Sequence, residues 1–206
     1  MSFIKNYWKQ LLLAVFLMWF TLLAFLVITT PVLEVDTIFY NTLMKFSSYS
    51  WTSFFLFSTF LWSTYMIIAV ALLTTILFFI KKKYKRYTVL SFLTPAIVYL
   101  VNCTIKNIVQ RPRPNILRLV QETDYSFPSW HTMESLAVYG LLIVFCLLNI
   151  KNRSLKYWIA SIIVIIITCI ALSRIYLWVH YFTDILWWLL LSWSYLLLIN
   201  IFSKQD

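Results

Sequence analysis

Three short stretches put ionisable side chains where the surrounding sequence avoids them. KNIVQRPRP (Lys106–Pro114) sets Lys106 and Arg113 seven residues apart at the end of an apolar run. FPSWHTMES (Phe127–Ser135) carries His131, and SRIYLWVHYFTDIL (Ser173–Leu186) carries Arg174, His180 and Asp184. An ionised group inside a bilayer costs about 3 kcal/mol or more, so such groups mark function by default.

The residue types suit phosphate chemistry. Lys106 and Arg113 are cations at a helix end, and Pro112 and Pro114 stiffen the turn that follows. Converging guanidinium and ammonium groups grip a multiply charged oxyanion. Taken alone, they would equally serve as a lipid-headgroup anchor. Ser129 or a neighbour is placed to cap the helix that starts near His131, whose free N–H groups favour an anion. His180 and Asp184 are four apart, so on a helix they share a face. The carboxylate would then hold one imidazole nitrogen and leave the other free to attack. The plain alternative is a buried ion pair that only supports packing.

The elements that must position these groups are membrane helices. Of 206 residues, 62% are hydrophobic and only 12% charged, which excludes an ordinary soluble domain. Six apolar spans are expected, at about 11–29, 55–80, 88–105, 132–149, 157–173 and 180–202, in one domain over residues 1–206. The second is long enough to tilt or to begin as a re-entrant piece. TPVLEVDTIFYNTLMKF, after the first span, reads as a short interfacial helix. The fold class is all-α, polytopic.

The net charge of +10 needs no nucleic acid, because eleven of the seventeen cations fall on one set of loops and termini. That set holds Lys5, Lys9, the run KKKYKR, Lys151, Arg153, Lys156 and Lys204; the other side keeps six, including Arg111 and Arg118. The asymmetry puts both termini in the cytoplasm and the motif-bearing loops outside, in the plasma membrane. Cys103, Cys146 and Cys169 have no metal-ligand spacing and read as packing residues. The outer acids look scattered, which suits no Mg²⁺ site. No cofactor and no obligate protein partner is indicated.

In order, K-x6-RP (Lys106, Arg113, Pro114), PS-x-H (Pro128, Ser129, His131) and SR-x5-H-x3-D (Ser173, Arg174, His180, Asp184) resemble the signature of the type 2 phosphatidic acid phosphatase (PAP2) family. The resemblance covers roughly residues 55–200. It implies a metal-independent membrane phosphatase that works through a phosphohistidine. By the family's pattern His180 is the nucleophile, Asp184 orients it, and His131 is the general acid and base. Lys106, Arg113, Ser129, Trp130, Ser173 and Arg174 would line the phosphate site. The implied substrate is an isoprenoid or glycerolipid phosphate at the outer leaflet, with undecaprenyl diphosphate and phosphatidylglycerophosphate as the leading candidates. Alternatives are a lipid phosphotransferase on the same machinery, or an inactive phospholipid-binding or transport protein.

The chain departs from that pattern at three glycines. Trp130 stands where the family has the glycine of PSGH, and Trp178 and Trp188 stand at two others. Gly140 is the one glycine in the chain, against ten tryptophans. Glycine beside a phosphate lets backbone N–H groups approach and tolerates unusual φ. Trp130 is therefore expected at the rim of the phosphate pocket. Trp178 and Trp188 are expected along the helix that carries His180, with lowered turnover as the result.

Overall fold

The computed structural model describes residues 2–114, 119–120 and 122–203. Among the described residues eight helices follow one another: α1 (Ser2–Thr29), α2 (Glu34–Met44), α3 (Tyr49–Phe60), α4 (Thr64–Ile80), α5 (Lys85–Val109), α6 (Trp130–Asn149), α7 (Arg153–Tyr176) and α8 (Phe182–Ser203). Five are long and apolar enough to cross a bilayer. The pair α3 and α4, bent by 48° at a short break, makes a sixth. The long second run of the sequence is thus a broken span. The break falls at Leu61–Ser63, where Ser63 stands at the N-cap position of α4.

α6 is the central helix: 67% of its span is buried, against 6% for α1. It packs on α4, α5, α7 and α8, while α1 lies against α8. Gly140 lets α6 and α8 approach. A Cβ there would stand 2.8 Å from Leu196 Cδ1, too close without a shift of that side chain. Leu136, Val138 and Tyr139 of α6 join Ile67 and Ala71 of α4 and Ile163, Ile167 and Ile170 of α7 in one buried cluster.

Large apolar side chains such as Phe25, Phe79, Ile108 and Trp158 cover the outside of the bundle. In water that surface would drive aggregation, whereas in lipid it is the solvated face. Burial against other helices then gains little over burial in acyl chains, so close packing and polar contacts must hold the bundle.

α2 is the short helix expected after the first span. Its apolar residues Phe39 and Leu43 lie against Ala171, Ile175 and Ile185. Phe39 stacks on Phe182 with ring centroids 3.9 Å apart. The helix therefore rests on the ends of α7 and α8, where the motif residues converge.

Candidate active site

α5 ends at Val109 because Gln110 turns left-handed at φ 49°. From there Arg111–Pro114 runs without helical pairing, each proline supplying no N–H and biasing its predecessor to extended φ/ψ. Both arginines are thereby free to reach across the bundle. On the facing side α7 ends at Tyr176, and a five-residue turn leads to α8. The backbone N–H groups of Val179 and His180 both donate to the Arg174 carbonyl at 3.2 Å.

His180 lies in that turn, two residues before α8 begins, so the shared helical face expected for His180 and Asp184 is corrected. Asp184 sits in the first turn of α8 and bends back. Its carboxylate accepts from the Tyr181 N–H at 2.9 Å and from Ser126 Oγ at 2.5 Å. Oδ2 lies 3.4 Å from His180 Nδ1, close but outside the alignment of a good hydrogen bond. The other ring nitrogen, Nε2, is 3.3 Å from Arg113 Nη1. A guanidinium can only donate, so Nε2 must accept, and the ring proton belongs on Nδ1, facing Asp184.

Arg113 is anchored on three sides. It donates to the Val179 carbonyl at 2.6 Å and the Asp124 carbonyl at 2.7 Å, and it pairs with the Asp124 carboxylate. Lys106 pairs with that same carboxylate. Arg174 donates to Glu122 at 2.5 Å and to Thr59 at 2.8 Å, while its buried Nε makes no hydrogen bond. Lys106, Arg113, Arg174 and His180 thus share one buried basin. A cavity of about 400 Å³ opens beside it, lined by Arg113, Glu122, Asp124 and their neighbours.

His131 occupies the first turn of α6, within electrostatic reach of Arg174, His180, Arg113 and Lys106. Its ring lies over Trp62, the centroids 3.3 Å apart. Ser129 holds the N-cap position of α6 but does not cap it. Its hydroxyl pairs with Thr132 at 3.1 Å, which corrects the capping expectation. Ser173 turns its hydroxyl onto its own helix, donating to the Ile170 carbonyl at 2.6 Å.

Two of the three tryptophans are not where the sequence put them. Trp130 lies between Trp62 and Tyr99 and does not line the cavity beside Arg113. Trp178 belongs to the turn before α8, at φ 62°. Few side chains adopt that left-handed backbone, which is the reason glycine suits the position. Here the indole donates to Met44 Sδ at 3.4 Å and packs edge-on against Tyr40. The Trp188 side chain and Arg118 lie outside the described residues.

Sequence reasoning missed a second ionic knot. Arg111, fully buried, donates to Asp184 at 2.5 Å, to Asp36 at 2.7 Å and to Thr183 at 2.9 Å. Asp36, on α2, also accepts from the Thr183 N–H and hydroxyl, each at 2.8 Å. The outer acids are therefore not scattered: Asp36, Glu122, Asp124 and Asp184 all meet cations. One signal was available. Six cations and six acids outside the set of eleven match in number, and buried charges in a membrane come paired.

An all-helical membrane bundle holding a histidine–aspartate dyad against a basin of arginines and a lysine defines a membrane protein built for phosphate chemistry. The chain belongs to the PAP2 superfamily, which matches residues 87–205. It is 35% identical over 91 residues to phosphatidylglycerophosphatase B of Bacillus subtilis (strain 168), a stretch that is 42% of this chain and 43% of that protein. Lipid phosphate phosphatase delta of Arabidopsis thaliana is 31% identical over 99 residues, 42% of this chain and 24% of the relative. The chain thus aligns with less than half the length of either relative. In three dimensions it is similar to the crystal structure of a transmembrane PAP2-type phosphatidylglycerolphosphate phosphatase from Bacillus subtilis. That match has a TM-score of 0.79 and 24% identity, over 94% of this chain and 96% of that one. Aquifex aeolicus LpxE aligns with a TM-score of 0.62 and 20% identity, over 84% and 97%.

Proposed function

We propose that residues 1–206 form a single membrane phosphatase domain that removes a terminal phosphate from a lipid through a phosphohistidine on His180. The observation that carries this reading is the contact of Arg113 with His180 Nε2. It aims the unprotonated nitrogen at the cations that would hold a phosphate and turns the protonated one toward Asp184.

In the first step Nε2 bonds to phosphorus as the bond from phosphorus to the lipid oxygen breaks. His131 protonates that departing oxygen. In the second step His131 takes a proton from water, whose oxygen attacks phosphorus, and the N–P bond breaks to release inorganic phosphate. Lys106, Arg113 and Arg174 neutralise the charge that spreads over the equatorial oxygens. No step calls on a metal ion.

The names of the relatives favour phosphatidylglycerophosphate as substrate; isoprenoid diphosphates are the second class, on the family resemblance alone. The excess of Lys and Arg at the ends bearing residues 81–86 and 150–156 supports cytoplasmic termini and an extracytoplasmic site. The test is phosphate release from a panel of lipid phosphates in detergent, with and without EDTA, beside His180→Ala. Chelator-resistant release that His180→Ala abolishes is expected, together with acid-labile phosphate trapped on the His131→Ala chain. Release that EDTA stops, or that survives His180→Ala, would overturn the reading.

A further inference from the structure

Each cation assigned to the phosphate seat already holds a carboxylate of the chain itself. Asp124 takes Lys106 and Arg113 together. Glu122 takes Arg174 at 2.5 Å and lies 3.8 Å from Arg113. Arg111 stays out of this set, because Asp36 and Asp184 occupy it. Three positive charges therefore face two negative ones, and the filled seat keeps a net charge of about +1.

The two acids stand at the mouth. The Asp124 side chain is 45% exposed and that of Glu122 25%, while Arg113 and Arg174 behind them are at 3% and 1%. Glu122, Thr123 and Asp124 also line the cavity that opens beside the seat. The carboxylates can therefore swing toward water at little desolvation cost, but the cations cannot follow them. Burial pushes the Asp124 carboxyl up, yet hydrogen bonds from Lys106 and Arg113 outweigh it and hold the group below the usual carboxylate range. Asp124 is thus ionised at neutral pH.

We propose that Glu122 and Asp124 are specificity-determining residues that close the seat to singly charged phosphodiester headgroups and yield it to a terminal phosphate carrying two negative charges. The inference rests on the phosphatase reading of the site. Displacement of both carboxylates removes two negative charges from buried cations. A terminal phosphomonoester or diphosphate returns about −1.5 to −2 on three acceptor oxygens, and the balance is restored. A phosphodiester returns a single charge on two free oxygens and leaves an excess of buried positive charge. Bilayer phosphodiesters outnumber any phosphomonoester substrate, so a built-in competitor lowers the affinity for the wrong ligand more than for the right one.

The test uses the full chain in detergent micelles, with Glu122→Gln, Asp124→Asn, the double variant and Asp124→Glu. Phosphate release from a phosphomonoester lipid is followed as phosphatidylglycerol is added. The inhibition constant for phosphatidylglycerol is expected to fall at least about tenfold in Asp124→Asn and further in the double variant. KM for the substrate should fall less, and Asp124→Glu should restore the discrimination. A parallel arm needs no turnover: the thermal shift given by inorganic phosphate and by dimethyl phosphate, measured on His180→Gln with and without Asp124→Asn. Dimethyl phosphate should stabilise only the chain lacking the carboxylate. An unchanged ratio of the two ligands in either arm would overturn the inference, as would loss of inorganic phosphate binding in Asp124→Asn. If the unmodified chain released no phosphate from any lipid, the phosphatase reading would fall, and the binding arm would still decide the role of the two acids.

Discussion

Arg111 grips Asp184 from behind, Nη1 to Oδ1 at 2.5 Å, while its other terminal nitrogen reaches Asp36 on α2 at 2.7 Å. The carboxylate that faces His180 is therefore fixed by a guanidinium on one side and by Ser126 and the Tyr181 N–H on the other. His180 is positioned by a chain of contacts that begins at Asp36, outside the stretch matched to the superfamily.

Arg111→Ala leaves Asp36 and Asp184 as buried carboxylates without their shared cation. Removal of one partner of such a pair costs about 3–5 kcal/mol. The thermal midpoint in detergent should fall sharply, and turnover should fall with it. Arg111→Lys should recover part of the stability but little activity, because a single ammonium cannot fork between two carboxylates. Equal midpoints for all three chains would refute the assignment.

Asp184→Asn tests the tautomer. The amide can offer an N–H toward His180 Nδ1, which would shift the ring proton to Nε2 and occupy the lone pair proposed to attack phosphorus. Turnover should drop by about 10⁴-fold, with KM changed little. A loss smaller than tenfold would show that the carboxylate does not set the tautomer.

Trp178→Gly sets backbone strain against burial. A left-handed φ of 62° costs a side-chain-bearing residue about 1–2 kcal/mol, which glycine would relieve. The indole, 6% exposed, would be lost from its contacts with Tyr40 and Met44. Truncation of a buried tryptophan costs about 3–5 kcal/mol, so burial wins and the variant should be less stable. A raised thermal midpoint would reverse that ranking.

pH enters through His180. Burial lowers its pKa; the Asp184 carboxylate opposes this, and the Arg113 and Arg174 charges add to it, leaving the group at about 3. The unfolded chain would titrate near 6.5. The folded pKa is the lower one, so this group's contribution to stability is complete above pH 6.5 and drains away as pH falls toward 3. Thermal scans should show that slope, and His180→Gln should flatten it. Nitrogen chemical shifts of His180 should remain those of a neutral ring at pH 5; a protonated ring there would contradict the geometry.

Trp130→Gly should change turnover only a few-fold. The indole is held between Trp62 and Tyr99 and is not among the residues that line the cavity beside Arg113. A large gain in phosphate release would return Trp130 to the rim of the pocket.

The sequence by itself determined the all-helical membrane class, the span positions to within a few residues, the short helix after the first span, and the motif residues by type and order. These are local properties. Transfer free energy is summed residue by residue along a span, and the Lys and Arg count of each loop needs no partner to be read. The tertiary structure decided which charge meets which. Asp36 and Thr183 are 147 residues apart, and they meet because α2 lies across the ends of α7 and α8. The place of His180 in a turn, the left-handed Trp178 and the carboxylates of Glu122 and Asp124 in the cation basin follow from how residues 111–114 and 122–126 meet the turn 177–181 and the start of α8. Pairing energies there depend on burial and distance, and a linear sequence contains neither.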